Sequence, residues 1–204
     1  GSDRYPGAAV LAVSGAIRGG AGAVRYVGGG GAAVLARHPE TLVSTGSPHA
    51  AGRVQAWVVG PGLGDSAAAR AAVEEVLASD VPVLVDADGL RLMSRDAVLA
   101  RSAATVLTPH AGEAAALLGR PREAVEAARL DAVRALAVAY GATVLLKGST
   151  TLVASPSAAQ PVRVNPTGTG WLATAGSGDV LSGLAGSLLA AGLPAVEAAS
   201  AAAY

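Results

Sequence analysis

Four short apolar runs, separated by helical segments, restrict the fold of this 204-residue chain more than any other feature. The runs are residues 55–59, 81–86, 104–107 and 142–147. Each is continuously apolar rather than alternating, which is typical of strands buried on both faces of a parallel sheet. Amphipathic segments such as 66–78 and 123–140 predict the covering helices. The pattern predicts an α/β fold with a mainly parallel central sheet, helices on both faces and an antiparallel edge near residues 143–164.

Polar residues follow each of the four runs, where the carboxyl ends of parallel strands meet at one edge of a sheet. The segments are GPGLG at 60–64, DADG at 86–89, TPHAGE at 108–113 and KGS at 147–149. A turn alone explains any one of them. Four in succession predict a ligand cleft that is lined by Gly64, Asp86, His110 and Lys147.

Other polar residues have less specific assignments. Asp86 and Asp88 either hold a magnesium-bound water or a substrate hydroxyl, or form Asx turns around Gly89; for Asp88 the turn is favoured. His38 and His49 lie in polar, proline-flanked segments and are predicted at the surface. The three histidines are scattered and have no cysteine beside them, so they give no metal-ligand spacing.

The segment 165–190 combines glycine-rich turns, one carboxylate and an apolar run that predicts a helix over 179–191. Its sequence is NPTGTGWLATAGSGDVLSGLAGSLLA. Glycines let backbone N–H groups converge, and a helix start adds a positive dipole end, so the segment is suited to bind an anion such as phosphate. Asp179 would repel phosphate, and its predicted role is a base for a hydroxyl that meets the phosphate. A helix start capped by Asp179 is the structural alternative.

Lys147 is the only lysine in a chain that has 14 arginines. It ends the apolar run TVLL and stands directly before Gly148, Ser149 and Thr150. A lysine ammonium is a compact charge that can follow a phosphate, and the neighbouring hydroxyls add donors. These features predict a phosphate contact, with an incidental surface lysine in a hairpin as the alternative.

Composition and missing motifs exclude several other classes of function. Fifteen acidic residues balance 15 basic ones, so no net charge favours nucleic acid or an anionic membrane. Cysteine is absent, which excludes disulfides and thiolate chemistry. The longest uncharged run, 180–196, is too short and too interrupted for a membrane span. Neither G-x-S-x-G nor a P-loop motif occurs, which argues against serine hydrolases and P-loop nucleotidases.

Five motifs together resemble one known family. GPGLG, VLVDADGL, LTPHAGEAAALLG, LLKGSTTLV and NPTGTGWLATAGSGDVLSGLAG occur in the order seen in the ADP/ATP-dependent NAD(P)H-hydrate dehydratases, and the similarity covers roughly residues 5–204. The resemblance implies a ribokinase-like three-layer α/β fold in a single catalytic domain over residues 1–204. The strand expected before the first helix is absent and the sequence ends within a predicted helix, so we expect truncation at both ends.

The resemblance also implies site residues, position by position. The substrate would contact Ala8, Gly62, Gly64, His110 and Asp179, with Ala9 as the alternative to Ala8 and with Gly62 competing with Gly64. The adenine nucleotide would contact Lys147, Gly148, Ser149, Thr150, Thr151, Asn165, Gly176 and Gly178. Glu113 would support magnesium on the nucleotide phosphates from outside its ligand shell, or would only favour the start of its own helix through the dipole.

The implied activity is the dehydration of hydrated NADH or NADPH back to NADH or NADPH, a lyase reaction with ADP or ATP as co-substrate and Mg²⁺. Phosphorylating the ring hydroxyl makes it a good leaving group, and loss of phosphate restores the nucleotide. A kinase of the same fold that acts on a vitamin-precursor alcohol is the alternative, and a nucleotide-binding module without catalysis is a third hypothesis.

The implied partners are small molecules rather than nucleic acid or a membrane. We also expect a cytoplasmic homo-oligomer, and a fused epimerase domain upstream is left open.

Overall fold

The computed structural model describes residues 1–204 and contains two β-sheets. The smaller sheet pairs β1 (Arg25–Val27) with β2 (Leu42–Ser44) in parallel. The larger sheet has six strands in chain order, β3 (Trp57–Val59), β4 (Val83–Val85), β5 (Thr105–Leu107), β6 (Thr143–Leu146), β7 (Thr151–Ala154) and β8 (Arg163–Asn165). Strands β3 to β6 are parallel, whereas β7 is antiparallel to both β6 and β8. The predicted parallel sheet with an antiparallel edge is confirmed.

Ten α-helices connect and cover the strands. They are α1 (Pro6–Arg18), α2 (Gly31–Arg37), α3 (Ala67–Leu77), α4 (Asp88–Leu92), α5 (Arg95–Leu99), α6 (Ala111–Leu118), α7 (Arg122–Ala127), α8 (Arg129–Tyr140), α9 (Ser177–Ala190) and α10 (Ala195–Ala203). Short 3₁₀ helices occupy Pro48–Ala51 and Gly170–Leu172. No helix combines the length and the apolar character that a membrane crossing requires.

The larger sheet is buried on both faces, because successive side chains of a strand point to opposite sides. Val85 and Leu107 belong to an apolar cluster of 25 buried residues that includes residues of α3 to α8. Their neighbours Leu84 and Val106 belong to a second cluster, which includes residues of α9 and α10. Two helical layers therefore enclose the sheet, which is the predicted three-layer arrangement.

Helices α1 and α9 pack with their backbones in close contact. A Cβ atom at Gly183 would overlap the carbonyl oxygen of Ala12, and one at Gly15 would overlap the carbonyl oxygen of Val180. Any larger side chain at these two positions would push the helices apart. Because α9 also contacts β3 and β4, this packing fixes the start of α9 relative to the sheet.

Three local predictions from the sequence were wrong. The segment 123–140 forms two helices, α7 and α8, because Ala128 has non-helical φ and ψ values of −134° and 54°. Helix α9 begins at Ser177 rather than at residue 179, since Gly176 precedes it in a left-handed conformation with φ 92°. His38 is 8% exposed rather than at the surface, and its Nε2 lies 2.6 Å from Oγ of Ser14 on α1.

Candidate active site

The four polar segments meet at one edge of the large sheet. GPGLG, DADG, TPHAGE and KGS begin directly after β3, β4, β5 and β6, which are parallel neighbours. Contacts join them: Gly64 is hydrogen-bonded to Asp88, and Lys147 is paired with Asp86. The strand topology thus brings together the polar residues that lie far apart in sequence.

Lys147 forms an ion pair at the centre of this edge. Its Nζ is 2.6 Å from Oδ1 of Asp86 and 3.9 Å from Oε2 of Glu113. Asp86 is 1% exposed, and its Oδ2 accepts a hydrogen bond of 2.7 Å from Oγ of Ser182 on α9. The Nζ of Lys147 also lies 3.3 Å from the position that a Cβ atom on Gly178 would take. Lys147 is therefore partly buried and ion-paired, unlike an incidental surface lysine.

The turn after β4 directs two carboxylates to different partners. Ala87 is the one non-glycine residue with a positive φ, at 47°. Such backbone strain costs roughly 1–3 kcal/mol and is frequent at functional sites. Asp86 reaches Lys147, whereas Oδ2 of Asp88 accepts a 2.8 Å hydrogen bond from the N–H of Gly64. The Asx turn favoured for Asp88 was therefore wrong, because its side chain binds a backbone group from another strand end.

Asp179 is a half-buried carboxylate in the first turn of α9. Burial raises the pKa of Asp179 above its ordinary value, the charge of Asp86 raises it further, and the charge of Lys147 opposes the shift. No hydrogen bond within the chain holds the Asp179 carboxylate in its charged form. A carboxylate with a raised pKa and free oxygens can accept a proton from a bound hydroxyl.

The start of α9 presents unpaired N–H groups beside this carboxylate. Gly176 precedes the helix and provides no side-chain cap. The N–H groups of Gly178 and Asp179 donate to no carbonyl of the chain, while the N–H of Val180 bonds the Gly176 carbonyl at 3.1 Å. The helix has 14 residues, and its dipole adds partial positive charge at this end. The arrangement can bind an oxyanion, and Asp179 does not act as a helix cap.

Arg129 of α8 stabilises the turn at residues 147–150, which joins β6 to β7. Nη2 of Arg129 donates to the carbonyls of Leu146 at 3.3 Å, Lys147 at 3.1 Å and Thr150 at 3.2 Å. A Cβ atom on Gly148 would lie 2.5 Å from the same Nη2. The predicted nucleotide residues in this turn therefore have a fixed backbone.

The segment after β8 packs against the other side of this turn. A Cβ atom on Gly168 would lie 2.5 Å from the carbonyl oxygen of Ser149. Asn165 is paired in register with Thr151, so these two predicted nucleotide residues are neighbours. The Asn165 side chain accepts the N–H of Thr167 at 3.0 Å and donates to the Ala203 carbonyl. Its side chain is thus engaged in shaping the turn.

The alternatives in the predicted substrate set differ in their surroundings. Ala8 is partly exposed and lies near Gly62, whereas Ala9 is 2% exposed and belongs to the core under α1. The space beside the Cα of Gly62 is filled by Ala8 and Tyr5, while nothing lies within 4 Å of a Cβ position on Gly64. Ala8 is therefore more exposed than Ala9, and Gly64 has more open space beside it than Gly62.

His110 and Glu113 form a capping box at the start of α6. Nδ1 of His110 accepts the N–H groups of Gly112 at 3.0 Å and Glu113 at 3.1 Å, and Oε2 of Glu113 accepts the N–H of His110 at 2.7 Å. The His110 side chain is still 60% exposed, and its Nε2 lies 3.6 Å from Oε1 of Glu113. The sequence did not reveal this cap, because histidine is not among the usual capping residues.

The carboxylates of the site do not form a metal cage. No group of three or more His, Asp or Glu residues could hold an ion, and Lys147 already pairs with Asp86 and lies near Glu113. Mg²⁺ commonly binds through one or two carboxylates together with substrate phosphates. These residues fit magnesium only in that form, with the phosphates supplying most of the ligands.

A mainly apolar cavity lies apart from these charged residues. It has a volume of about 480 Å³ and is enclosed mainly by apolar residues of α1, α9, β1 and β3. None of Asp86, Lys147 and Asp179 lines it. The candidate site is therefore the open edge of the sheet beside α9.

Comparison with solved structures first defines the class of fold. A ribokinase-like superfamily protein from Enterococcus faecalis has a TM-score of 0.85 and 25% identity, covering 100% of this chain and 73% of that one. The ADP/ATP-dependent NAD(P)H-hydrate dehydratase from Bacillus subtilis, co-crystallized with ATP/Mg²⁺ and soaked with CoA, has a TM-score of 0.86 and 30% identity. That alignment covers 100% of this chain and 77% of the other. The fold is ribokinase-like, as the motifs implied.

Sequence comparison then identifies the family. A family profile described as NAD(P)H-hydrate dehydratase matches residues 1–204. The bifunctional NAD(P)H-hydrate repair enzyme Nnr from Mycobacterium leprae is 56% identical over 201 residues, which are 98% of this chain and 41% of that protein. This chain thus spans about two fifths of that relative's length. It belongs to the NAD(P)H-hydrate dehydratase family.

Proposed function

We propose that this chain catalyses the ADP- or ATP-dependent dehydration of hydrated NADH or NADPH to NADH or NADPH. The observation that carries the proposal is the free, half-buried carboxylate of Asp179 beside the unpaired N–H groups of Gly178 and Asp179. This pair can bind a phosphoryl group and deprotonate a hydroxyl at the same place. Family membership and the names of the relatives support hydrated NAD(P)H as the substrate.

The residues fit a reaction in two stages. In the first, Asp179 takes the proton of the ring hydroxyl, whose oxygen forms a bond to the terminal phosphorus of the nucleotide, while the bond from that phosphorus to its leaving oxygen breaks. The N–H groups at the start of α9 stabilise charge on the transferring phosphoryl. In the second, phosphate leaves the ring, a ring proton is lost, and the carbon–carbon double bond of the reduced nicotinamide is restored.

The two ligands are assigned to opposite sides of Asp179. The nucleotide lies along the turn formed by Lys147, Gly148, Ser149, Thr150 and Thr151 and reaches Gly176 and Gly178, with Asn165 shaping the neighbouring turn. The hydrated nicotinamide nucleotide lies against Ala8, Gly64 and His110. Support for this division is the strand order, in which Gly64 follows β3 and Lys147 follows β6, with β4 and β5 between them.

Magnesium would be held on the nucleotide phosphates, with Glu113 supporting it from outside the ligand shell. The ion would neutralise phosphate charge during transfer. The Bacillus subtilis relative was co-crystallized with ATP/Mg²⁺, which supports this assignment.

The test is incubation of the purified chain with hydrated NADH and either ADP or ATP. Absorbance of reduced nicotinamide should return together with release of phosphate, and omitting the nucleotide should abolish both. A phosphorylated product that accumulates without absorbance recovery would instead support the kinase alternative. No reaction with either nucleotide would contradict the proposal.

A homo-oligomeric state, a cytoplasmic location and an upstream epimerase domain stay predictions. The bifunctional Mycobacterium leprae relative supports the last of these. Analytical ultracentrifugation of the chain tests the first.

A further inference from the structure

The proposed reaction gives no role to Asp86, the most deeply buried carboxylate of the site. Its side chain is at the end of β4 and the residue is 1% exposed. Its negative charge would repel phosphate, so it is not a phosphate ligand. A buried carboxylate is expensive to desolvate unless each oxygen has a partner.

Both oxygens of Asp86 are occupied, by groups from two other elements. Oδ1 receives the ammonium of Lys147, which follows β6, at 2.6 Å. Oδ2 receives the hydroxyl of Ser182, on the second turn of α9, at 2.7 Å. Ser182 thereby holds the Asp86 carboxylate in place, and Asp86 holds the ammonium of Lys147. These contacts, Ser182–Asp86–Lys147, link α9 to the turn after β6.

The position of the Lys147 ammonium suggests what the contacts Ser182–Asp86–Lys147 do in the site. Nζ of Lys147 lies 3.3 Å from where a Cβ atom on Gly178 would stand, next to the N–H groups that are free to bind the phosphoryl group. A lysine side chain has several rotatable bonds, and without a partner its ammonium would sample many positions. Asp86 fixes one of them.

We propose that Asp86 is a positioning residue for phosphoryl transfer, acting through Lys147, whose ammonium it orients toward the start of α9. This inference rests on the proposed function and adds a residue to it. The competing effect is neutralisation: a carboxylate that merely cancels the charge of Lys147 would weaken phosphate binding, and its removal would tighten it.

The test is a double-mutant cycle with Asp86→Asn and Lys147→Met. Asparagine keeps the size of the side chain and its bond to Ser182 but loses the charge that orients Lys147. We expect Asp86→Asn alone to lower kcat by about tenfold to a hundredfold, as a misplaced catalytic group does. In the Lys147→Met background, Asp86→Asn should lower kcat by less than about twofold, because the ammonium that Asp86 orients is absent. Glu197→Gln is the matched control, since Glu197 pairs with the exposed Arg163 and makes no contact with Asp86 or Lys147.

Each outcome has a defined meaning. Equal losses from Asp86→Asn in both backgrounds would indicate a structural role and would overturn the proposal. Tighter ADP binding with unchanged kcat would show neutralisation, and would also overturn it. If Asp86→Asn alone does not fold, the Lys147→Met and double variants still compare the site with and without the carboxylate. If the parent chain does not regenerate NADH, the proposed function fails separately, and ADP affinity from titration calorimetry takes the place of kcat in the same cycle.

Discussion

The substitution Gly178→Ala should lower turnover without lowering the stability of the fold. Gly178 is the second residue of α9, and its φ is not in the left-handed region. Near the position of the added Cβ lie only the side-chain ends of Lys147, at 3.3 Å, and Asp86, at 3.8 Å. No backbone has to move. Replacing a helical glycine by alanine is favourable by up to about 1 kcal/mol, so Gly178→Ala should be as stable as the parent or slightly more stable.

The same methyl group should impair the reaction. It would stand between the start of α9 and the ammonium of Lys147, where the phosphoryl group is proposed to bind. Loss of one phosphate contact corresponds to about 3 kcal/mol, or roughly a hundredfold, at an oxyanion-binding site. We therefore expect Gly178→Ala to lower the rate of NADH recovery from hydrated NADH by about that factor, with a melting temperature at or slightly above that of the parent.

Gly183→Ala on the same helix is the control. Its added methyl group would overlap the carbonyl oxygen of Ala12, so α1 and α9 would have to separate. Overpacking of this kind destabilises by roughly 1–3 kcal/mol. Parental turnover by a stable Gly178→Ala variant would refute the proposed phosphate position, because the space beside Gly178 would then be unused.

Three other features of the site give separate predictions. Lys147→Ala should weaken binding of ADP more than binding of hydrated NADH, as measured by titration of each ligand alone. An equal loss of both affinities would contradict the assignment. Arg129→Lys should raise the KM for the nucleotide by about tenfold, because lysine cannot reproduce the contacts of the guanidinium; Arg101→Lys, whose guanidinium bonds carbonyls before β4, should only lower the melting temperature. A KM increase in both variants would show that Arg129 has no special place beside the nucleotide. Because the pKa of Asp179 is raised, activity should decline with falling pH at a higher pH than an ordinary carboxylate would give, and Asp179→Glu should move that decline; an activity that is flat down to the range of exposed carboxylates would argue against Asp179 as the base.

The sequence predicts the sheet and the polar segments that meet at one of its edges well, because both depend on local information. Strands buried on both faces appear as consecutive apolar residues, as in Val83–Val85. Because these strands are parallel, the segments that follow them lie at the same edge of the sheet, independent of the loop conformations. Five ordered motifs then restrict the family more than any single segment.

The partners within the site could not be predicted, because they depend on packing over long sequence distances. Asp86 meets Lys147 across 61 residues and Ser182 across 96. One signal for Ser182 was present: it follows Asp179 by three residues, so the two share a face of α9. The break at Ala128 had no signal, since alanine is the strongest helix former and only tertiary packing can end a helix there. His38 was misplaced for a similar reason, because its polar neighbours do not reveal Ser14 on another helix.

The turnover of Asp179→Asn with hydrated NADH and ADP or ATP tests the central claim, that Asp179 is the base. Asparagine keeps the shape of the side chain but cannot take the proton, so turnover should fall by roughly 10²–10⁴-fold. Folding should not suffer: because the folded-state pKa of Asp179 is raised, its protonated form adds stability at low pH, and this contribution is lost as pH rises through the folded-state value, so the ionised carboxylate costs stability at neutral pH. At neutral pH the variant should therefore melt at or above the parental temperature. A folded Asp179→Asn variant that restores NADH within a few-fold of the parental rate would contradict the account.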